Sequence, residues 1–182
     1  MILETERLLL RRPAAEDAPA YAAIWGDPEV VRFIGGETWD LQRAQDGIER
    51  MRRHWEWFDI GLFTVVRKRD ERILGRVGFL VWNENWQNGH RERVEPVETE
   101  IGWTIGREFW NRGYATEAAA ACRDQALGPL GLKRVISLIA AENTASIRVA
   151  EKIGETFERE IRGGFFRFPV GLCALEAGSP AR

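Results

Sequence analysis

Residues Glu98 to Glu117 read Glu-Thr-Glu-Ile-Gly-Trp-Thr-Ile-Gly-Arg-Glu-Phe-Trp-Asn-Arg-Gly-Tyr-Ala-Thr-Glu, and they commit the chain to a strand that passes through a Gly-rich turn into a helix. An α-helix leaves its opening N–H groups without internal partners, and its dipole favours negative charge at that end. The helix starting near Gly113 is therefore a natural seat for phosphate. Gly113 has no Cβ and Ala115 is almost as small, so a ligand oxygen can approach the backbone there. Glu98 and Glu100 stand two residues apart on the strand and share one face. Together they set a proton acceptor beside a place for an acidic phosphate ligand. A bare Gly-x-Ala triplet is also ordinary turn chemistry, so its neighbourhood has to carry the argument.

That neighbourhood alternates strands and helices. Leu8 to Arg12 reads as a short strand, and Pro13 to Trp25 as a first helix with Ala18, Tyr21, Ala22 and Trp25 on one face. Asp27-Pro28 ends it, and Val30 to Gly36 is expected as a turn or loop. From Asp40, the residues Leu41, Ala44, Ile48, Met51, Trp55 and Phe58 recur at steps of three and four, which makes an apolar stripe on a second helix. Leu62 to Arg67 and Ile73 to Trp82 are strands joined by a polar connection of hairpin length, so they should pair antiparallel. Asn83 to Val97 is a long polar segment, of the kind that serves as a mobile stretch, lid or interface.

Glu98 to Ile105 is the next strand, and Gly113 to Leu127 the next helix, with small residues Ala115, Ala118, Ala119, Cys122 and Ala126 on its inner side. Arg134 to Ile139 reads as a buried strand. Asn143 caps a helix that Gly154 stops, and Thr156 to Arg162 and Val170 to Leu175 supply two last strands. The sum is α+β, or mixed α/β, with one central sheet.

At 182 residues the chain fits one domain, 1–182, with enough apolar content for a substantial core. The start shows neither a cleavable leader nor a long apolar run, so a soluble, cytoplasmic protein without a membrane partner is expected. A formal net charge of −2 gives no field that would draw in a polyanion, which disfavours nucleic acid. Cys122 and Cys173 lie in unrelated apolar contexts and read as buried thiols. Neither they nor His54 and His90 have ligand spacing, so no metal is expected.

With these elements in order, five segments resemble the GNAT superfamily of acyl-CoA-dependent N-acetyltransferases, and more narrowly its branch of ribosomal-protein N-terminal (alanine/serine) acetyltransferases. They are Thr5 to Arg11, Asp27 to Val30, Glu100 to Trp103, Gly113 to Ala118 and Glu142 to Arg148. The resemblance implies a central, mostly antiparallel sheet of about seven strands, whose parallel fourth and fifth strands splay apart, flanked by about four helices. It implies acetyl-CoA as cosubstrate, with Arg112, Gly113, Tyr114, Ala115 and Thr116 around the pyrophosphate. The backbone of Trp103, Thr104 and Ile105 would line the pantetheine arm, the Thr104 N–H would polarise the thioester carbonyl, and Asn143 would contact the arm. Trp110 stands where the family's phosphate loop usually begins with Gln or Arg, a departure that leaves the backbone cradle untouched.

By the same resemblance Glu100 is the first candidate for the base that deprotonates a primary amine, either a peptide N-terminus or a small molecule. Glu98 is the reserve base, or a second anion that raises the pKa of Glu100. The Tyr that many of these enzymes use to protonate the leaving thiolate is replaced by Ala150, and Ser146 is assigned that role and a place near the thiol. A protein that binds acyl-CoA without transferring it is the alternative. The acceptor pocket should draw on Val30 to Trp39, the second helix and the Trp82 to Val97 segment, with Phe165, Phe166 and Arg167 opposite. A homodimer is possible through the long polar segment or the last strands.

Overall fold

The computed structural model describes residues 1–82, 98–162 and 169–178. Eight strands form one sheet: β1 (Leu3–Glu4), β2 (Leu8–Arg11), β3 (Leu62–Arg67), β4 (Ile73–Trp82), β5 (Glu98–Ile105), β6 (Arg134–Ala140), β7 (Thr156–Ile161) and β8 (Val170–Glu176). Their order across the sheet is β1-β2-β3-β4-β5-β6-β8-β7. The helices are α1 (Ala18–Trp25), α2 (Pro28–Val31), α3 (Leu41–Phe58), α4 (Tyr114–Leu127) and α5 (Thr144–Lys152). Against the expected seven strands and four helices there is one more of each. The two-residue β1 pairs with β2, and the stretch expected as a loop after Asp27 instead opens as α2. The cause is local: Asp27 accepts a hydrogen bond from the Glu29 N–H and Pro28 sits at the first helical position.

All neighbouring strands run antiparallel except β5 and β6, which are parallel and meet at one register position, Glu100 opposite Ile136. Beyond that position the two strands part. One face of the sheet packs against α4, whose Ala118, Ala119, Cys122 and Ala126 are fully buried against Leu74, Val77 and other strand residues. Small side chains let this helix lie close. The opposite face carries α1 and α3, where Tyr21, Trp25, Ala44, Ile48 and Met51 form a second cluster. Leu41, assigned to the α3 stripe, is exposed.

Two local devices set the position of α1 and its surroundings. The buried Asp17 accepts hydrogen bonds from Arg11, from the Ala14 N–H and from the Thr64 hydroxyl. Burial works against its charge, yet these donors hold its carboxyl below the usual range. Gly47 of α3 supplies the second: a Cβ there would lie 2.6 Å from the Trp39 ring. Trp39 thereby reaches Trp25 and stacks on it with centroids 5.3 Å apart, and Trp25 stacks on Tyr21 at 4.8 Å.

Candidate active site

The strand parting gives the site its shape. In β5 the Gly106 N–H just beyond the strand donates to the Leu74 carbonyl, and the register with β4 is regular from there to Trp82. An antiparallel ladder alternates its main-chain groups from side to side. The N–H and C=O of Glu100, Gly102 and Thr104 therefore face β4, while those of Ile101, Trp103 and Ile105 face β6 and the gap. This corrects one assignment. The Thr104 N–H is turned into the β4 ladder opposite Arg76, and the amides on the gap side belong to Trp103 and Ile105. Thr104 does line the cavity, together with Glu100, Gly102, Trp103, Ala140, Asn143 and Ser146.

Side chains stitch the strands where the backbone no longer does. The Leu138 N–H donates to the Glu100 carboxylate, and the Ser137 hydroxyl donates to the Ile101 carbonyl at 2.8 Å. Glu155 lies behind Ser137, fully buried, with Oε1 3.0 Å from the hydroxyl oxygen and Oε2 without a partner. The Ser137 hydroxyl has one hydrogen for two acceptors, the Ile101 carbonyl and Glu155 Oε1, and both contacts are hydrogen bonds at once only when Glu155 is protonated and donates one of them. Burial pushes the Glu155 carboxyl up to about 8, and the nearby Glu100 charge adds to the lift.

Burial likewise pushes Glu100 up to about 7, although Arg76 and the Leu138 N–H both favour its ionised form. A carboxylate with that affinity can gain and lose a proton near neutrality. Glu98 has a different setting. It is paired with Arg134 at 3.2 Å, in a cluster that also includes Glu158 and Glu176. The lift at Glu100 comes from burial and not from Glu98.

The segment expected as a phosphate loop has a backbone suited to one. Asn111 and Gly113 both have left-handed φ, 58° and 78°, and α4 starts at Tyr114 with no side chain capping its first amides. Arg112 is exposed, and its carbonyl accepts from Arg7 Nη1 at 3.0 Å. Tyr114 contributes only its amide to the loop surface. Its ring is buried under the Arg7 guanidinium, 4.6 Å from the centroid, and its hydroxyl meets Arg67. Ala115 and Thr116 are half-buried. Trp110, at the departing first position, donates from Nε1 to the Ile105 carbonyl at 2.6 Å. That bond ties the loop to the end of β5 and leaves the Ile105 N–H as the group facing the gap.

At the far wall Asn143 caps α5 by accepting from the Ser146 N–H at 3.1 Å, which leaves its amide nitrogen to donate elsewhere. Trp103 Nε1 donates to Ser146 Oγ at 3.2 Å, so the serine keeps its own hydrogen to give. Ala150 is buried beside Ile139 and Cys173 and offers no acid. Both cysteines are buried, and burial raises both thiols, Cys173 to about 11.

Sequence reasoning missed Arg76, Ser137, Glu155 and the Leu138 N–H. Arg76 had a readable signal, a lone charge inside the otherwise apolar Ile73 to Trp82 run. Glu155 had none, because it follows a helix stop and looks like a connection. Of the expected acceptor wall, Phe33 and Ile34 line the cavity. The segment 83–97 and the residues Phe165, Phe166 and Arg167 lie outside the described residues. Among the described residues no helix is long and apolar enough to cross a membrane.

A family model described as an acetyltransferase (GNAT) domain matches residues 7–156. The uncharacterized N-acetyltransferase p20 of Bacillus licheniformis is 30% identical over 159 residues, covering 87% of this chain and 83% of the relative. A GNAT-family acetyltransferase from Bacillus anthracis superposes with a TM-score of 0.81 at 24% identity, over 98% of this chain and 100% of that one. The ribosomal L7/L12 α-N-protein acetyltransferase RimL, solved with coenzyme A, gives 0.77 at 13% identity, over 97% and 98%. The last two are likenesses of fold.

Proposed function

This chain belongs to the GNAT acetyltransferase family and is an acetyl-CoA-dependent N-acetyltransferase, and on that footing we propose that Glu100 is the base and Ser146 the acid in a direct transfer to a primary amine. Bound acetyl-CoA supplies the activated carbonyl. The residues fit it: the uncapped amides of Tyr114, Ala115 and Thr116 suit a diphosphate, Arg112 adds charge at the rim, and the Trp103 and Ile105 amides open toward the arm. Asn143 has a donor left for the same arm.

In the ternary complex the amine nitrogen bonds to the acetyl carbon as its proton passes to Glu100. The Trp103 N–H faces the carbonyl oxygen as negative charge gathers there. The carbon–sulfur bond then breaks, and Ser146 stabilises the departing thiolate with the hydrogen that Trp103 leaves it. No covalent enzyme intermediate is needed. The acceptor is a protein N-terminus or a small-molecule amine.

The observation that carries this reading is Glu100 itself, a half-buried carboxylate in the cavity with its affinity raised to about 7. Free-thiol release from acetyl-CoA, followed across amines and N-terminal peptides, tests it. Glu100→Gln should cut kcat by about 10²–10⁴-fold, the usual worth of a general base, while acetyl-CoA binding holds. Undiminished turnover removes Glu100 from the role. Binding of acetyl-CoA with no release for any amine would favour the non-transferring binder.

A further inference from the structure

The cavity beside Glu100 contains a charge that transfer to a plain amine does not use. Arg76 projects from β4 into it, on the same sheet face as Glu100, since Arg76 pairs with Thr104 and Leu80 with Glu100. Its guanidinium rests 4.9 Å from the Trp25 ring and 5.6 Å from the Trp39 ring. Nη1 reaches the Met51 sulfur at 3.6 Å. These partners are π faces and a thioether, which support a cation without neutralising it. The other buried or half-buried arginines on this sheet behave differently: Arg11 holds Asp17, Arg67 holds Asp70 and Arg134 holds Glu98 and Glu158. Arg76 has no carboxylate within ion-pair distance among the described residues.

Its wider surroundings sharpen the imbalance. Burial opposes its charge first, and Arg50 of α3 brings a second positive charge close by. Two acidic groups favour the charge, Tyr21 of α1 and Glu100 of β5. Tyr21 is buried and stays a neutral phenol, its pKa pushed up to about 12. Glu100 takes up a proton in the reaction, so the remaining anion disappears as the amine is deprotonated. A half-buried guanidinium seated over an indole, with no carboxylate on it, can take an oxyanion in a two-pronged fashion. Phe33, Ile34, Leu62 and Leu80 line the space around it.

We propose that the acceptor is a small primary amine that carries its own oxyanion, a carboxylate or phosphate, which Arg76 binds while Glu100 receives the amine. This rests on the transfer reading of the same cavity and narrows it to a substrate class. Acceptors with positive charge alone, such as polyamines and aminoglycosides, meet repulsion from Arg76 and Arg50. Arg76 acts as a specificity-determining residue and leaves the bond changes to the groups already named.

Matched pairs test the proposal: α-amino acids against their amides, and phosphoethanolamine against ethanolamine, with spermidine and a neutral N-terminal peptide beside them. Binding is measured by calorimetry on the CoA-saturated protein, and turnover by thiol release. The acid member of at least one pair should bind at least about tenfold more tightly than the partner lacking the oxyanion, a gap of about 1.4 kcal/mol. Which pair shows the gap separates carboxylate from phosphate. Arg76→Gln should erase the gap by raising KM for the acid while leaving KM for acetyl-CoA unchanged, and Arg76→Lys should restore part of it. Equal binding within both pairs, binding of no anionic amine, or best turnover with spermidine or the neutral peptide overturns the proposal. Because these comparisons use the unaltered protein, they decide even if Arg76→Gln fails to fold. A binding gap without any acetyl transfer would sustain the oxyanion seat and sink the transfer reading.

Discussion

Glu100 must be buried enough to hold a proton and exposed enough to exchange it, and its neighbours divide those tasks. Burial raises its affinity, while Arg76 and the Leu138 N–H restrain the rise, so the group titrates at about 7. In the proposed mechanism the ionised form is the base. The rate kcat/KM should therefore climb as pH passes upward through about 7 and level off above it, before the acceptor amine's own titration adds a second rise. Arg76→Gln removes a charge that favours ionisation, so it should move that inflection to higher pH in a profile taken with an amine that carries no oxyanion. An inflection that stays put would detach Arg76 from the electrostatics of the base. Glu98→Gln should leave both rate and inflection within about twofold, because that carboxylate serves Arg134. A large loss would restore Glu98 as a base. The carboxylate position was legible from the strand pattern, but which of the two carboxylates lay in the cavity was not. Both share a face, and only the position of Arg134 on the neighbouring strand separates them.

At the scale of elements, the join between β5 and α4 is the proposed seat of the cosubstrate, and its backbone depends on Gly113. With φ at 78°, a side chain at that position costs about 1–2 kcal/mol in the left-handed region. A Cβ there would stand 3.4 Å from an Arg7 guanidinium nitrogen that can shift, so the conformation and not the space is limiting. Gly113→Val should lower the melting temperature by a few degrees and raise KM for acetyl-CoA about tenfold or more, with KM for the amine little changed. A KM for acetyl-CoA equal to that of the unaltered protein would show that the cradle lies elsewhere. This join was legible in sequence because strand, turn and helix follow one another in the chain. The splay was not. Ser137 and Leu138 bridge it and meet β5 only after the chain has passed through α4, Glu155 joins behind Ser137 after α5, and no local spacing records such contacts. The Thr104 amide was misassigned for a related reason, since the direction of a main-chain group follows from the pairing register.

Across the whole molecule, the buried acids make stability and activity pull in opposite directions. Glu100 and Glu155 titrate at about 7 and about 8 in the folded chain, against 4.5 for a free Glu. Between about 4.5 and 8 the folded state binds more protons than the unfolded state, so stability falls as pH rises through that window and levels off above it. Asp17, Asp70 and Glu117 are shifted the other way by their donors. Their contribution is present above their unfolded values and is lost as pH falls below about 4. The maximum therefore belongs at about pH 4.5, well on the acid side of the range where Glu100 is ionised and able to act as the proposed base. Denaturant titrations at pH 5.5 and 8.5 should differ by a few kcal/mol, on the order expected for carboxyls shifted by several pH units. Glu155→Gln retains the shape and the contact to Ser137 without the ionisation, so it should remove more than half of that difference and leave the activity inflection near 7. Equal stability at the two pH values would mean that neither carboxyl is held protonated by the fold. A slope that survives Glu155→Gln intact would place the whole effect on Glu100, and the splay would then be indifferent to the charge behind it.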